Sequence, residues 1–212
     1  MDNDVAIIDF KLGNLHSVDS ACKFVGLNSM ITNDKHEIMN AKSAILPGVG
    51  AFGEAMDNLK SLNLDKVIHD FVSTGRPFLG ICLGLQLLFD ESEEFGTNRG
   101  LGIIKGKVKK FNVYKDKNYK YNVPQIGWNT IKKNKSWEGS LLEFNNENDQ
   151  MYFVHSYYVV PDNNKYVLSS SKYGNTSYCS SILKDNIFAC QFHPEKSGKK
   201  GLNIYKKLKL IC

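Results

Sequence analysis

Several features of secreted, membrane-bound and metal-binding proteins are missing from this sequence. The N-terminus, MDNDVAIIDF, has acidic rather than basic residues before a short apolar run, unlike a signal peptide. No run approaches the roughly 20 apolar residues of a membrane span. The five cysteines are odd in number and show no Cys-x-x-Cys spacing, which argues against a disulfide framework or a structural zinc site. These absences predict a soluble, cytoplasmic protein with reduced thiols and no metal or other cofactor.

The composition is that of an ordinary globular protein. Hydrophobic residues make up 42% of the 212 residues and charged residues 23%, which leaves enough apolar material for a core. An α/β chain of about 200 residues commonly forms one unit. We therefore expect a single domain over residues 1–212.

Part of the net charge of +5 is concentrated in residues 105–121, where lysines alternate with valine, phenylalanine and tyrosine. Interleaved lysines and aromatics are compatible with nucleic-acid binding. A strand with one solvated face has the same pattern, and acidic residues are scattered through the rest of the chain. We favour a solvated hairpin and expect neither nucleic acid nor membrane as a partner.

The first half alternates short apolar segments with helical patterns. Strands are predicted at residues 5–9, 29–32, 43–46 and 77–81, and helices at residues 15–26, 52–62, 65–72 and 83–89. This alternation predicts an α/β fold with a mostly parallel sheet and helices on both faces. In the second half, strands at residues 102–111, 151–160, 166–172, 178–183 and 187–192 are separated by turn residues, which predicts antiparallel hairpins before a closing helix at 199–211.

Cys82 lies where a predicted strand runs directly into a helix. Such a tight turn strains the residue at its apex and crowds the neighbouring chain, and Gly80 and Gly84 relieve that crowding at two positions on either side. The sulfur would lie at the C-terminal edge of the sheet, where open α/β sheets bind ligands. Helix amides favour a thiolate there. We predict a nucleophile at Cys82 and buried structural thiols at Cys22, Cys179, Cys190 and Cys212.

A nucleophilic thiol needs a base, and five histidines are available. His36 and His69 have the context of exposed residues, and His16 falls in the first turn of a helix. His193 ends a strand and precedes a proline, with Glu195 two residues later. On extended backbone this spacing places both side chains on one side, so Glu195 can orient the imidazole while His193 faces the sulfur.

Acyl transfer at Cys82 also needs donors for an oxyanion. The amide of Leu83, directly after the nucleophile, is one candidate. The glycine-rich loop at residues 47–50 is the other, with Val49 and Gly50 as the expected donors. A plain turn is the alternative reading of this loop.

Six stretches together resemble the class I (triad) glutamine amidotransferases, over nearly the whole chain: IIDFKLGNLHSV, LPGVGAFGEAM, GICLGLQLLFDESEE, IGWN, YFVHSYYV and QFHPEKSG. The resemblance implies a flavodoxin-like fold. It implies that Cys82 attacks the side-chain amide of glutamine, that His193 protonates the ammonia and then activates water, and that Glu195 orients His193. The residues it implies for substrate binding are Gly48, Gly50, Leu83, Gln86, Glu94, His155, Ser156 and Tyr157. For the His155 side chain, a plain core role is the alternative.

More narrowly within that family, the sequence resembles the glutaminase subunits of imidazole glycerol phosphate synthase. The resemblance implies a heterodimer in which ammonia passes through a channel to a HisF-type (β/α)8 cyclase that makes imidazole glycerol phosphate and AICAR in histidine biosynthesis. It also implies low activity without the partner. The residues that match partner-facing positions are Asn14, Trp128, Asn129, Tyr152 and Lys196.

Two departures from the family pattern concern the acceptor of the ammonia. Pro124-Gln125-Ile126 stands where Pro-His-Met is usual, and the hairpin before it is long; we interpret both as lying toward the partner. A paralogous glutaminase that supplies ammonia for amidination of a cell-surface sugar is therefore the alternative within the family. From other classes, a cysteine peptidase or chaperone-like protein of similar fold would share the turn at Cys82, and a non-catalytic interaction protein is a third alternative.

Overall fold

The chain forms one large sheet flanked by helices, together with smaller sheets. The computed structural model describes residues 3–112, 114–115 and 120–212. Its helices are α1 (Leu15–Phe24), α2 (Lys35–Asn40), α3 (Phe52–Ser61), α4 (Leu64–Ser73), α5 (Leu83–Leu87) and α6 (Gly198–Ile211), with 3-10 turns at Asn164–Tyr166 and Pro194–Lys196. Its strands are β1 (Val5–Ile8), β2 (Ser29–Thr32), β3 (Ser43–Gly48), β4 (Phe78–Cys82), β5 (Phe89–Ser92), β6 (Asn98–Arg99), β7 (Ile104–Lys110), β8 (Tyr114–Lys115), β9 (Lys120–Tyr121), β10 (Gln125–Thr130), β11 (Lys132–Lys133), β12 (Gln150–His155), β13 (Tyr157–Pro161), β14 (Val167–Tyr173), β15 (Thr176–Lys184) and β16 (Ile187–Cys190).

The large sheet has eight strands in the order β11-β14-β15-β16-β4-β3-β1-β2. The strands from β16 to β2 are parallel, whereas β15, β14 and β11 add on in antiparallel pairing. The parallel sheet expected from the first half and the hairpins expected from the second half are both confirmed. Cys190 at the end of β16 pairs with Ile81 near the end of β4, so the segments that follow these strands leave the same edge of the sheet.

The two faces of this sheet bury separate clusters of apolar side chains. Along β1, Ala6 and Ile8 contact the cluster that includes α3 and α4, whereas Val5 and Ile7 contact the cluster that includes α1 and α6. Successive strand residues point to opposite faces, which explains why both sets are buried. This double burial holds the loops at the sheet edge in place.

The prediction and the structure differ at several elements, among them α2, the helix after Cys82 and the strand at 151–160. The six-residue helix α2 was missed, although Asp34 accepts hydrogen bonds from the amides of His36 and Glu37 as a helix cap. The helix after Cys82 ends at Leu87 rather than Phe89, because the chain turns there into β5. The strand predicted at 151–160 is broken at Ser156, because β12 pairs with β10 while β13 pairs with β7 in a second, four-stranded sheet.

The lysine-rich stretch begins as the solvated strand that was predicted. In β7, the lysines are exposed and alternate with buried Ile104, Gly106 and Val108. Lys105 and Lys107 form ion pairs with Asp90 and Glu91, each at 2.8 Å. Residues 113 and 116–119 of the long hairpin lie outside the described residues. Among the described helices, none combines the length and apolar character needed to cross a membrane.

Candidate active site

Cys82 ends β4 in a backbone conformation that residues with a side chain seldom adopt. Its φ is 55° and its ψ is −106°. A Cβ added to Gly84 would lie 1.8 Å from the carbonyl oxygen of Leu46, and one added to Gly80 would lie 2.9 Å from the Cβ of Ala189. The sharp turn expected from the Gly-x-Cys-x-Gly spacing is present, and it packs the start of α5 directly against β3.

His193 and Glu195 form a buried pair after β16. The Nδ1 of His193 donates to the Oε1 of Glu195 at 2.8 Å, and the side chains are 2% and 1% exposed. A carboxylate can only accept, so Nδ1 carries a proton. The backbone is not extended here as predicted, because Pro194–Lys196 forms a 3-10 turn starting after His193. That turn folds the carboxylate back onto the ring. The N–H of His193 donates to the carbonyl of Tyr152 at 2.9 Å.

The electrostatics of His193 link it to Cys82. Burial lowers the pKa of His193, but the charge of the Cys82 thiolate, a hydrogen bond to that sulfur and the Glu195 carboxylate outweigh burial and raise the pKa from 6.5 to about 10. The Nε2 atom is buried and has no hydrogen-bond partner apart from this interaction with the sulfur among the described residues. With a pKa of about 10, the buried His193 ring is held as an imidazolium at neutral pH.

A second buried imidazole, that of His155, has the opposite character. Burial lowers its pKa from 6.5 to about 4, the hydrogen bond to Tyr157 opposes the change, and the nearby charge of His193 adds to it. Its Nδ1 lies 2.8 Å from the carbonyl oxygen of Tyr157, so the neutral ring donates there. Phe111 and Tyr178 pack against the ring, with centroids 5.2 and 5.3 Å away. The side chain is thus both a wall of the site and part of the core.

The other histidines and thiols lie elsewhere. His16, His36 and His69 are exposed. All five cysteines are free, and burial raises the pKa values of Cys22 and Cys179 to about 12. Cys212 is only half-buried, contrary to the prediction, and its Sγ donates to the Oγ of Ser43 at 3.2 Å because the end of α6 lies at the surface.

A cavity of about 310 Å³ opens beside Cys82. It brings together ten of the predicted site residues with Pro124 and Val154, neither of which was predicted; the ten are Val49, Gly50, Cys82, Leu83, Gln86, Glu94, His155, Ser156, Tyr157 and His193. Gly48 does not line it. A Cβ at Gly48 would lie 2.8 Å from the Cβ of Leu83, so this glycine instead allows the close approach of β3 to α5.

Two polar residues of the cavity wall are already engaged by the protein. The Oε2 of Glu94 accepts from the amide of Phe52 at the start of α3, at 2.6 Å. The Nε2 of Gln86 donates to the carbonyl of Tyr157 at 3.0 Å and to the Oε1 of Gln191 at 3.1 Å. Gln191 was missed by the sequence analysis. The signal was its place two residues before His193, at the end of a strand beside β4.

The residues predicted to face a partner are accessible to different degrees. Trp128 is 55% exposed and its ring packs edge-on against Tyr152, with centroids 6.0 Å apart. Lys196 is exposed, Asn14 precedes α1, and the Nδ2 of Asn129 donates to the carbonyl of Lys172.

The divergent residues Gln125 and Ile126, which we interpret from the sequence as lying toward the partner, begin β10 and differ in burial. Gln125 is 3% exposed and its Oε1 accepts from the hydroxyl of Tyr178 at 3.0 Å, so this side chain belongs to the core. Ile126, in contrast, is 63% exposed. The side chains of consecutive strand residues point to opposite faces, which explains the difference.

Residues 6–210 match the family described as glutamine amidotransferase class-I. The chain is 48% identical over 204 residues to the imidazole glycerol phosphate synthase subunit HisH of Aquifex aeolicus (strain VF5), covering 96% of this chain and 94% of that one. It is 45% identical over 200 residues to the protein of the same name from Bacillus subtilis (strain 168), covering 94% and 92%.

Solved structures share the fold at low sequence identity. A crystal structure of a glutamine amidotransferase superposes with a TM-score of 0.71 at 18% identity, covering 98% of both chains. A structure of PurLQS from Thermotoga maritima has the same TM-score at 15% identity and 99% coverage of both chains. These likenesses identify a class I glutamine amidotransferase fold.

Proposed function

This chain belongs to the class-I glutamine amidotransferase family, and on that premise we propose that it hydrolyses L-glutamine to glutamate and ammonia with Cys82, His193 and Glu195 as the catalytic triad. The proposal extends to a cytoplasmic heterodimer in which the ammonia passes to a HisF-type (β/α)8 cyclase of histidine biosynthesis. The observation that carries the proposal is the convergence of a strained cysteine and a carboxylate-bound histidine on one cavity.

The geometry supports an acyl-transfer mechanism in two stages. The Cys82 thiolate attacks the side-chain carbonyl carbon of glutamine, and the C–N bond breaks as the Nε2 of His193 gives its proton to the departing nitrogen. A water molecule then attacks the thioester, gives a proton to the same Nε2, and the C–S bond breaks to release glutamate. Glu195 keeps Nδ1 protonated throughout, which leaves Nε2 as the atom that exchanges protons.

The cavity wall offers groups for charge stabilisation and substrate binding. The amides of Leu83, Val49 and Gly50 are the proposed oxyanion donors, since all three residues line the cavity beside Cys82. Glu94 supplies a negative charge for the substrate's ammonium group. The Tyr157 carbonyl already accepts from Gln86 and His155, so we assign substrate contacts on this wall to the other groups of Ser156 and Tyr157.

The partner is inferred from the relatives and from the surface next to the triad. Relatives at 48% and 45% identity bear the name of a synthase subunit, which favours the cyclase over a sugar-amidating acceptor. The Tyr152 ring packs against exposed Trp128, while its carbonyl accepts from the backbone of His193. A partner that covers Trp128 would therefore lie close to the site of ammonia release.

Replacement of the nucleophile tests this proposal. In the complex with the cognate barrel, Cys82→Ala should abolish glutamine hydrolysis, whereas the synthase reaction should continue with added ammonium. Cys212→Ala removes a half-buried thiol that contacts Ser43 and does not line the cavity, and it serves as the matched control with normal turnover. Retention of glutamine turnover by Cys82→Ala would show that another residue is the nucleophile.

A labelling experiment separates the glutaminase from the other classes of protein. A glutamine-mimicking electrophile should add one equivalent to the wild-type chain, and peptide mapping should locate it at Cys82 among the five free thiols. Labelling of Cys82 by a peptide-based electrophile instead would favour a peptidase. Absence of labelling with and without the barrel would leave only a binding function.

A further inference from the structure

Gln191 is a buried amide that directly contacts the proposed nucleophile. Its side chain is fully buried, and its Nε2 lies 3.7 Å from the Sγ of Cys82, 109 positions away in the sequence. The backbone N–H of Gln191 donates to the carbonyl of Ser180 at 2.9 Å, which anchors the residue to β15. The pairing of β16 with β4 therefore presents a primary amide to the sulfur.

The hydrogen-bond network determines which end of the Gln191 amide faces the sulfur. The carbonyl of Tyr157 can only accept, so Gln86 must present its nitrogen to it. The same nitrogen of Gln86 then donates to Gln191, which must present its oxygen. The nitrogen of Gln191 is thereby directed at Cys82, and reversing the amide would break the contact with Gln86.

A donor at this place acts differently on the two forms of Cys82. The thiol donates to the carbonyl of Val154 at 3.8 Å, whereas the thiolate has no proton to give and is the stronger acceptor. An N–H aimed at the sulfur therefore favours the thiolate and restrains its rotamer. The groups that also surround the sulfur are the imidazolium of His193, the neutral ring of His155, the carboxylate of Glu94 across the cavity, and Cys190.

We propose that Gln191 is a positioning residue for Cys82. Its amide nitrogen binds the anionic sulfur, and its oxygen accepts from Gln86, which also donates to Tyr157 at the start of β13. Cys82 is thereby connected to the cavity wall that β13 forms. The inference rests on the proposed function only in taking Cys82 as the reactive thiol. A purely space-filling glutamine would pack equally well with either amide orientation. The contacts with both Gln86 and Cys82 require one orientation.

The test measures the alkylation rate of Cys82 by iodoacetamide as a function of pH, with full-length protein. Gln191→Met preserves length and removes the donor, and Gln191→Glu keeps an acceptor for Gln86 but places a carboxylate at the sulfur. In both variants we expect the midpoint of the rate profile to rise by about one pH unit or more, since a charge-assisted hydrogen bond is lost. In the complex, kcat for glutamine should fall at least about tenfold, with a smaller change in KM.

Gln125→Met is the matched control, because Gln125 is also a buried glutamine but bonds Tyr178 rather than the sulfur. It should lower the melting temperature without moving the alkylation midpoint. A midpoint unchanged in a folded Gln191 variant would overturn the proposal. If neither variant folds, an NMR titration of the wild-type protein provides the test. The side-chain amide signals of Gln191 should shift with the same pH midpoint as the alkylation rate. Amide signals that do not change through that midpoint would also overturn the proposal.

Alkylation is measured without glutamine, so the two proposals can fail separately. Normal alkylation profiles with the expected variant shifts, but no glutaminase activity in the wild-type complex, would reject the proposed function alone. Normal glutaminase activity with unshifted profiles would reject the role of Gln191 alone.

Discussion

Acidification should destabilise this fold through one buried imidazole, that of His155. The pKa of this group is lowered from 6.5 to about 4, chiefly by burial. Above pH 6.5 the imidazole is neutral in the folded and the unfolded chain, so the protonation of His155 costs no stability there. As the pH falls below 6.5, the unfolded chain binds the proton first and is stabilised by it. The loss should reach about 3 kcal/mol near pH 4, at about 1.4 kcal/mol per unit.

The variant His155→Asn isolates this contribution. Its amide can donate to the Tyr157 carbonyl from nearly the position of Nδ1, but it cannot titrate. Loss of the ring packing against Phe111 and Tyr178 lowers stability by an amount that is constant with pH. The pH dependence of the difference in stability between wild type and variant therefore reports only the protonation of His155. Carboxylates with lowered pKa values, such as Asp90 and Asp149, contribute equally to both proteins.

The measurement is the free energy of unfolding in urea between pH 7.5 and 4.5. The difference between wild type and His155→Asn should shrink by about 2 kcal/mol or more over this range. His36→Asn, at an exposed position, controls for the loss of a histidine. The raised pKa of His193 gives a contribution that is complete below pH 6.5 and is lost between 6.5 and about 10; wild type and variant both contain this group, so it cancels in their difference. Parallel curves for wild type and variant would refute the reasoning.

Two further predictions concern the turn at Cys82 and its histidine. Gly84→Ala should lower the free energy of unfolding by about 3 kcal/mol or more, because its Cβ would overlap the carbonyl oxygen of Leu46. Gly139 has a φ of 72° but no atom within 4 Å of an added Cβ, so Gly139→Ala should cost only about 1 kcal/mol. Equal losses for the two variants in urea titrations would contradict the packing argument. In Cys82→Ala the pKa of His193 should fall well below about 10, since the thiolate charge is gone; an NMR titration that gives the wild-type value would remove the sulfur as its cause.

Local sequence was sufficient for much of the first half of the fold. The strand at residues 29–32 was predicted with its observed bounds, and α3 and α4 were predicted to within about a residue or two at either end. Their apolar periodicity is a property of neighbouring residues. The helix after Cys82 was overextended because its leucines suit a helix, whereas pairing with β7 draws Phe89 into a strand. Tertiary contacts override propensity in such a short segment.

The sequence by itself determined the sharp turn at Cys82 and the pairing of His193 with Glu195, because both depend on residues within two positions of each other. Only the tertiary structure decided that β16 lies beside β4, which brings Gln191 and His193 to a sulfur more than a hundred residues away. It also decided that one buried histidine is held charged and its neighbour neutral, and that Gln125 points into the core. Burial and the distance between charges depend on the folded arrangement, which no local pattern encodes.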